Sequence, residues 1–274
     1  MRALALLFVA GAMSCMPPSW AANALLHPGR RPVTQQPRRP FEAVDFDGDG
    51  VRLKGWWFRG ASAKRGTVVY LHGVADNRGS GVGIAEHFLA RGYDVIAYDS
   101  RAHGESGGDV CTYGYYEKQD LRRVLDRVTA TPVVLFGVSL GGAVALQAAA
   151  DDARIAAVIA VSTFSDLRTV GSERAPFFAS KGNIAEAFTI AERDGKFRAA
   201  DVSPVAAAPR IGVPVLVIHG ARDDETPPAH SQRIFAALPE PKRRLVLVPG
   251  AGHGNALTAD VWRQLDAWLD AAFR

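Results

Sequence analysis

The chain has 274 residues, of which 48% are hydrophobic and 22% are charged. A chain of this length and apolar content can bury one sizeable core, which excludes a disordered or fibrous protein. The formal net charge of +4 comes from the N-terminus, because residues 1–39 hold five of the 32 basic residues and none of the 28 acidic ones. Residues 40–274 therefore carry 27 basic and 28 acidic side chains. A nucleic-acid-binding domain would carry excess positive charge on its folded part, so this class of function is excluded.

The first 24 residues are predicted to be an export signal. Arg2 precedes an apolar run over residues 3–10, which is the pattern of a signal peptide. Cleavage is expected after Ala21 or after Ala24, since small residues precede both positions at the required spacing. Residues 12–15 form an imperfect lipobox, in which Cys15 would be lipidated and would tether the chain to a membrane. We therefore expect a periplasmic or secreted protein, with a membrane-anchored lipoprotein as the alternative.

Residues 25–40 are predicted to be an extended linker. Four prolines and four arginines fall within residues 28–40. Proline favours extended backbone, and four arginines are few for attraction to an anionic membrane surface. The folded domain is then expected to span residues 41–274.

Beyond the linker, strand-like and helix-like patterns alternate. Residues 41–47 and 51–58 predict an antiparallel hairpin around the Asp-Gly-Asp-Gly turn. Short apolar runs predict strands at 67–71, 93–98, 132–136, 155–161, 213–218 and 244–248, and the segments between and after them predict helices at 81–91, 114–128, 140–150, 228–237 and 257–272. The alternation predicts an α/β fold with a mostly parallel sheet and helices on both faces.

Regularity is lost between residues 163 and 204. This segment holds five phenylalanines among mixed charges, and residues 184–193 predict a helix. We predict a small cap, inserted after the strand at 155–161, with an ordinary connecting helix and core aromatics as the alternative. A cap this short predicts a small or shallow pocket and short acyl groups.

A candidate nucleophile lies between the strand at 132–136 and the helix at 140–150. Gly137-Val138-Ser139-Leu140-Gly141 fits the Gly-x-Ser-x-Gly turn that lifts a serine hydroxyl above a sheet. Side chains at Gly137 and Gly141 would collide with neighbouring backbone in so tight a turn. The following helix would point its N-terminal N–H groups at the place where an oxyanion forms.

A serine nucleophile requires a base and an acid to orient that base. His253 is the predicted base, because its glycine-rich loop directly follows the strand at 244–248. Asp223 is the predicted acid, and Asp224 is the alternative within the same acidic turn. His219 and His230 are expected to be structural, the first buried and the second exposed.

Two backbone N–H groups are predicted to stabilise the oxyanion. Leu140 follows the nucleophile, and Val74 lies in the loop after the strand at 67–71. His72 in the same loop is expected to hydrogen-bond to the backbone. Cys111 is expected to be a packed, unreactive thiol, and no metal-ligand spacing or nucleotide-binding glycine loop occurs, so no cofactor is implied.

Five motifs in this order resemble the α/β-hydrolase family over about residues 41–274. They are His72-Gly73, residues 99–106, Gly137–Gly142, the segment His219-Gly220…Asp223…Pro227, and Gly252-His253. The likeness is to small serine esterases and acyl hydrolases related to dienelactone hydrolases and to the acyl-peptidase C-terminal domain. It implies Ser139 as nucleophile, Asp223 as acid and His253 as base. Ala102 departs from the family pattern at a position where glycine is usual.

These patterns predict a serine hydrolase that cleaves carboxylic esters or thioesters of a small molecule through an acyl-enzyme. A serine peptidase or amidase and an acyltransferase on the same fold are alternatives. A binding protein that kept the fold without catalysis is a further one. No stable protein partner is implied.

Overall fold

A computed structural model of the chain describes residues 17–60 and 65–273. The apolar run at 3–10 and the candidate lipid-attachment residue Cys15 lie outside the described residues. None of the helices in the described part of the chain has the length and hydropathy that a bilayer crossing requires.

The centre of the fold is an eight-stranded sheet in the order β1-β2-β4-β3-β5-β6-β7-β8. The strands are β1 Glu42–Asp47, β2 Arg52–Phe58, β3 Thr67–Leu71, β4 Asp94–Tyr98, β5 Val133–Val138, β6 Ile155–Val161, β7 Val215–Gly220 and β8 Arg243–Val248. Strands β1 and β2 form the predicted antiparallel hairpin, β2 pairs antiparallel with β4, and the remaining neighbours are parallel. The parallel strands carry their C-terminal ends to one edge, where ligands bind in sheets of this kind.

Helices cover both faces of the sheet, as predicted. They are α1 Pro18–Leu26, α2 Val82–Leu89, α3 Glu117–Leu125, α4 Leu140–Ala149, α5 Leu167–Glu173, α6 Lys181–Gly195, α7 Pro204–Ala207, α8 Ala229–Ala237 and α9 Ala259–Ala272. Helices α3, α4 and α8 contribute Leu121, Val144 and Ile234 to the core on one face. Helices α2 and α9 contribute Phe88 and Leu265 to the core on the other face.

A third apolar cluster is formed largely by the chain segment that connects β6 to β7, where the cap was predicted. Helices α5 and α6 of the cap bury Leu167 and Phe188 in it. The cluster also includes Ala143 of α4, the helix that follows the Gly-x-Ser-x-Gly turn. The cap is therefore packed directly above the start of α4.

The N-terminal segment is part of this packing. Helix α1 buries Ala22 and Leu26 in the third cluster and packs against α6. Residues 28–37 have no regular secondary structure, yet Arg30 donates a hydrogen bond to the carbonyl of Ser106, and Asn77 donates one to the carbonyl of Arg31. Among the described residues, the segment from Pro18 to Arg31 therefore packs against the domain that the sequence predicts to begin at residue 41.

Candidate active site

Ser139 occupies the sharp turn between β5 and α4. Its φ of 51° and ψ of −113° place it in the left-handed half of backbone space, which is strained for a residue with a side chain. A Cβ at Gly137 would lie 2.3 Å from the carbonyl oxygen of Gly141, and one at Gly141 would lie 2.1 Å from that of Leu71. Only glycine fits at either position, for the reason that the sequence indicated.

The surrounding backbone holds this turn in place. The Ser139 N–H donates to the Val161 carbonyl at 2.8 Å, which ties the turn to the end of β6. The Thr163 hydroxyl donates to the Ser139 carbonyl, also at 2.8 Å. The Ser139 hydroxyl has no hydrogen-bond partner among the described residues, so it remains available to a reacting group.

Asp223 and His253 form the hydrogen-bonded pair that the sequence predicted. His253 Nδ1–H donates to Asp223 Oδ2 at 2.8 Å, and the His253 side chain is 17% exposed while that of Asp223 is fully buried. Asp224 is exposed, and among the described residues no hydrogen bond joins it to His219 or His253, whereas Asp223 is hydrogen-bonded to His253. The His253 hydrogen bond fixes Nε2 as the ring nitrogen that is free to accept a proton.

The Asp223 carboxylate is held ionised. Oδ1 accepts hydrogen bonds from the N–H groups of Thr226 at 2.8 Å and Glu225 at 3.1 Å. Burial acts to raise the pKa of Asp223, but the hydrogen bonds from His219, His253 and Thr226 outweigh burial and hold that pKa well below its usual range. A permanently charged Asp223 is what stabilises an imidazolium at His253 during proton transfer.

His219 makes a contact with the predicted acid that the sequence did not indicate. It is buried, as expected, but its Nε2 lies 3.1 Å from Asp223 Oδ2 and 2.8 Å from the Thr226 carbonyl oxygen. Both neighbours accept hydrogen bonds, so Nε2 carries the proton. Two imidazoles, those of His219 and His253, therefore contact Asp223 Oδ2. The available signal was the four-residue spacing of His219 and Asp223 at the end of β7.

The loops that carry Asp223 and His253 are in direct contact. A Cβ at Gly220, which ends β7, would lie 2.4 Å from the carbonyl oxygens of Ala251 and Gly252. Among the described residues no hydrogen bond joins the Ser139 hydroxyl to His253. Catalytic hydrogen bonds are often long in a free enzyme and shorten only when substrate binds.

The two predicted oxyanion donors lie beside Ser139. Leu140 is the first residue of α4, and its N–H has no intrahelical acceptor. Val74, Ser139 and Leu140 line the same cavity. A Cβ at Gly73 would lie 3.6 Å from Ser139 Cβ, which places the Val74 loop against the nucleophile.

His72 fixes the shape of that loop, as expected from its position. Its Nδ1–H donates to the Gly73 carbonyl at 2.7 Å, and its Nε2 accepts from the Ser100 N–H at 2.9 Å. Burial lowers the pKa of His72, which keeps the ring neutral. Ala102, which stands where the family usually has glycine, adopts a left-handed backbone conformation with φ of 61°. Glycine adopts this conformation without strain, which explains why it is usual at this position.

A cavity of about 320 Å³ opens at Ser139. Most of its lining is apolar and comes from the cap and from α1; the polar side chains in the lining are those of Tyr113, Ser139, Arg174 and Asn183. Helix α1 contributes Pro18, Ala21, Ala24 and Leu25. Helix α1 extends the wall that α5 and α6 form, and the resulting volume lies at the lower end of the roughly 300–1,000 Å³ that is usual for small-molecule sites.

A second serine–histidine–acid cluster joins the cap to α8. His230 Nε2–H donates to Glu173 Oε2 at 2.6 Å, and its Nδ1 accepts from the Ser165 N–H at 3.0 Å and from Arg233 at 2.8 Å. The Ser165 hydroxyl lies 3.0 Å from Asp166 Oδ2, and both Ser165 and His230 are fully buried. Ser165 and His230 are buried and do not line the cavity at Ser139, so the cluster joins the cap to α8 rather than facing that cavity.

The prediction that His230 is exposed is therefore wrong. The ring is covered because Glu173 of cap helix α5 reaches it across the chain. Burial also lowers the pKa of His230. Cys111 is buried as expected, and burial raises the pKa of its thiol, which makes it unreactive. Within the described residues no cluster of His, Cys, Asp and Glu side chains has the arrangement of a metal site.

Comparison with known proteins decides the family. A family model described as alpha/beta hydrolase fold matches residues 66–188. The protein Rv2307c of Mycobacterium tuberculosis H37Rv, described as uncharacterized, is 31% identical over 224 residues, which cover 80% of this chain and 74% of that protein. The chain belongs to the α/β-hydrolase family. The YfhR protein of Escherichia coli K12, also described as uncharacterized, is 29% identical over 96% of this chain and 92% of its own length.

Solved structures agree with this assignment of the fold. The esterase Pf2001 of Pyrococcus furiosus superposes on this α/β hydrolase with a TM-score of 0.75, covering 90% of this chain and 100% of the esterase. The two sequences are 23% identical, so the likeness establishes a shared fold. The eight strands and the mostly parallel pairing agree with the fold that the sequence predicts.

Proposed function

We propose that this α/β hydrolase is a serine hydrolase that cleaves carboxylic esters or thioesters through an acyl-enzyme. The observation that carries the proposal is the combination of a strained, unpartnered Ser139 with the Asp223–His253 pair at the same edge of the sheet. A binding protein without catalysis has no need for a strained serine, since such backbone costs about 1–3 kcal/mol.

In the acylation step, Ser139 Oγ attacks the carbonyl carbon of the substrate. His253 Nε2 takes the hydroxyl proton as the new C–O bond forms, and Asp223 stabilises the resulting imidazolium. The negative charge on the former carbonyl oxygen is stabilised by the N–H groups of Val74 and Leu140. Collapse of this intermediate breaks the bond to the leaving group, and His253 returns its proton to the departing alkoxide or thiolate.

Deacylation repeats the same chemistry with water as the nucleophile. His253 removes a proton from water while the water oxygen attacks the acyl carbon of the Ser139 ester. The second intermediate collapses, the acid product leaves, and His253 returns the proton to Ser139 Oγ. An acyltransferase would differ only in using an alcohol in place of water at this step.

The cavity lining supports an acyl substrate. Apart from Arg174 the lining residues carry no charge, and most of them are aliphatic or aromatic. Such a surface binds a hydrocarbon chain by burying it, at about 25 cal/mol per Å² of apolar area. It offers few hydrogen-bonding groups for the backbone of a peptide, which favours esters and thioesters over peptides as substrates.

The proposal is tested by hydrolysis of p-nitrophenyl acetate, butyrate and octanoate by the full chain. Ser139→Ala is expected to lower kcat by at least about 10⁴-fold, since loss of the nucleophile disables the triad as a unit. Ser165→Ala is the matched control, because Ser165 also lies beside a histidine but is buried in the cap junction. Turnover that survives in Ser139→Ala, or a wild-type protein inactive on all three esters, would contradict the proposal.

A further inference from the structure

We propose that helix α1, Pro18–Leu26, remains in the active enzyme as a wall of the acyl cavity and that this wall selects medium-length acyl chains. This inference rests on the proposed esterase function and adds to it the substrate class and the element that sets it. It also places a specificity determinant in a segment whose sequence predicts an export signal.

The faces of α1 divide according to what they contact. Ala22 and Leu26, one turn apart, are buried against the cap. Pro18, Ala21 and Leu25 recur at three- and four-residue spacing and line the cavity. Ser19, Trp20 and Asn23 are exposed on the remaining face, and Trp20 is 69% exposed. Two faces of the helix therefore contact the domain and the third faces solvent. This arrangement is typical of a helix that is an integral part of the fold, not of a leader peptide that is removed.

The C-terminal end of α1 is joined to the domain by hydrogen bonds. The Cys111 N–H donates to the Leu26 carbonyl at 2.8 Å, and the Tyr113 hydroxyl donates to the Leu25 carbonyl at 3.1 Å. His27 Nδ1–H donates to the Asp109 carbonyl at 2.7 Å. Two of the last carbonyls of the helix therefore have partners in the 109–113 loop, and Tyr113 itself lines the cavity.

The size of the cavity indicates the length of the acyl chain. A volume of about 320 Å³ is available beside Ser139. A water molecule occupies about 30 Å³ of liquid, so the cavity holds about ten groups of that size. A methylene group is similar in size to water, so an acyl chain of about eight to ten carbons fills this space while an acetyl group leaves most of it empty.

Removal of α1 would open this cavity. Both processing positions predicted from the sequence, after Ala21 and after Ala24, fall inside the helix. Cleavage at either position would remove Pro18 and Ala21 from the wall, and cleavage after Ala24 would also remove Ala22 from the core. The lipobox position at Cys15 precedes the helix and would leave it intact.

One test compares kcat/KM for p-nitrophenyl octanoate and acetate in the full chain. Ala21→Phe is expected to lower the octanoate-to-acetate ratio by about tenfold or more, since each methylene equivalent in an apolar pocket changes discrimination by about 10–200-fold. Asn23→Phe places the same ring on the exposed face and is expected to leave the ratio unchanged. Leu25→Ala enlarges the cavity and is expected to raise the decanoate-to-octanoate ratio.

The outcomes separate this inference from the proposed function. A wild-type protein that hydrolyses none of these esters overturns the proposed function. A wild type that hydrolyses them, with ratios in Ala21→Phe and Leu25→Ala equal to those of wild type, overturns the wall alone. A second readout is the intact mass of fluorophosphonate-labelled protein isolated after expression of the full chain. A start before Pro18 supports the inference, and an active protein that starts after Ala21 or Ala24 contradicts it.

Discussion

His219 offers a sharp test of how the proposed triad is held, because it contacts Asp223 and does not line the cavity at Ser139. Its Nε2 lies 3.1 Å from Asp223 Oδ2, while its Nδ1 is hydrogen-bonded to the Ser231 hydroxyl. His219→Phe keeps an aromatic ring of similar size in the buried site and removes both ring nitrogens. His219→Gln retains an N–H donor at a position close to that of Nε2.

The expected fall in kcat for His219→Phe is estimated from the hydrogen bonds to Asp223. The carboxylate keeps two backbone donors on Oδ1 and His253 on Oδ2 when the second imidazole is removed. A hydrogen bond to a charged group contributes about 1.5–3 kcal/mol. The Nε2–H of His219 is shared with the Thr226 carbonyl, so the hydrogen bond to Asp223 is expected to contribute an energy at the lower end of this range. A loss of about 1.5 kcal/mol of transition-state stabilisation corresponds to about a tenfold fall in kcat.

The assay is steady-state hydrolysis of p-nitrophenyl octanoate. His219→Phe is expected to lower kcat by about tenfold with KM nearly unchanged, because the residue does not reach the cavity. His219→Gln is expected to recover most of the loss. Ser231→Ala is the matched control, since it removes the partner of Nδ1 and leaves the Asp223 contact in place. A wild-type kcat in His219→Phe, or an equal loss in His219→Gln, would refute the reasoning.

Three further predictions follow from the same structure. Asp223→Asn is expected to lower kcat by about 10⁴-fold and Asp224→Asn by less than about threefold, measured on the octanoate ester. Gly141→Ala is expected to lower the free energy of unfolding in urea by about 3 kcal/mol or more, because its Cβ would lie 2.1 Å from a backbone carbonyl oxygen. Gly83→Ala is the control, because a Cβ at that position meets nothing within 4 Å. Burial lowers the pKa of His103 from 6.5 to about 4. Because the unfolded state then binds more protons, the free energy of unfolding is expected to fall by about 1.4 kcal/mol per pH unit as pH decreases from about 6.5 to 4, and His103→Gln should reduce this slope.

Each of these has a result that counts against it. Equal losses in Asp223→Asn and Asp224→Asn would mean that the acidic turn, and not one carboxylate, orients the base. A Gly141→Ala protein as stable as Gly83→Ala would mean that the turn relaxes without cost. A pH slope in His103→Gln that matches the wild-type slope would assign the acid sensitivity to other buried histidines.

The fold and the catalytic positions follow from local sequence signals. Strand β5 is a short branched run, and the glycines around Ser139 are required by contacts within a few residues and by the neighbouring strand β3. Asp223 and His253 lie just beyond the C-terminal ends of β7 and β8, where the order of parallel strands brings them together. Spacing and chain order were therefore enough to predict that these two side chains lie together.

The features that sequence reasoning missed depend on contacts between distant segments. His230 is covered by Glu173, 57 residues away, and nothing near His230 in the sequence indicates that cover. The apolar residues of α1 are equally suited to a leader and to a buried helix face, because burial in the core and export select the same side chains. The wall of the cavity likewise includes α1, and the sequence does not indicate that contribution because it depends on contacts between α1 and the cap.

The central claim is that Ser139 is the nucleophile, and covalent mapping tests it most directly. The full chain is incubated with a fluorophosphonate probe and digested, and the modified serine is located by mass spectrometry. One adduct is expected, on Ser139, and no adduct in Ser139→Ala. An adduct on Ser165 beside His230, or on any other serine of a protein that hydrolyses esters, would contradict it.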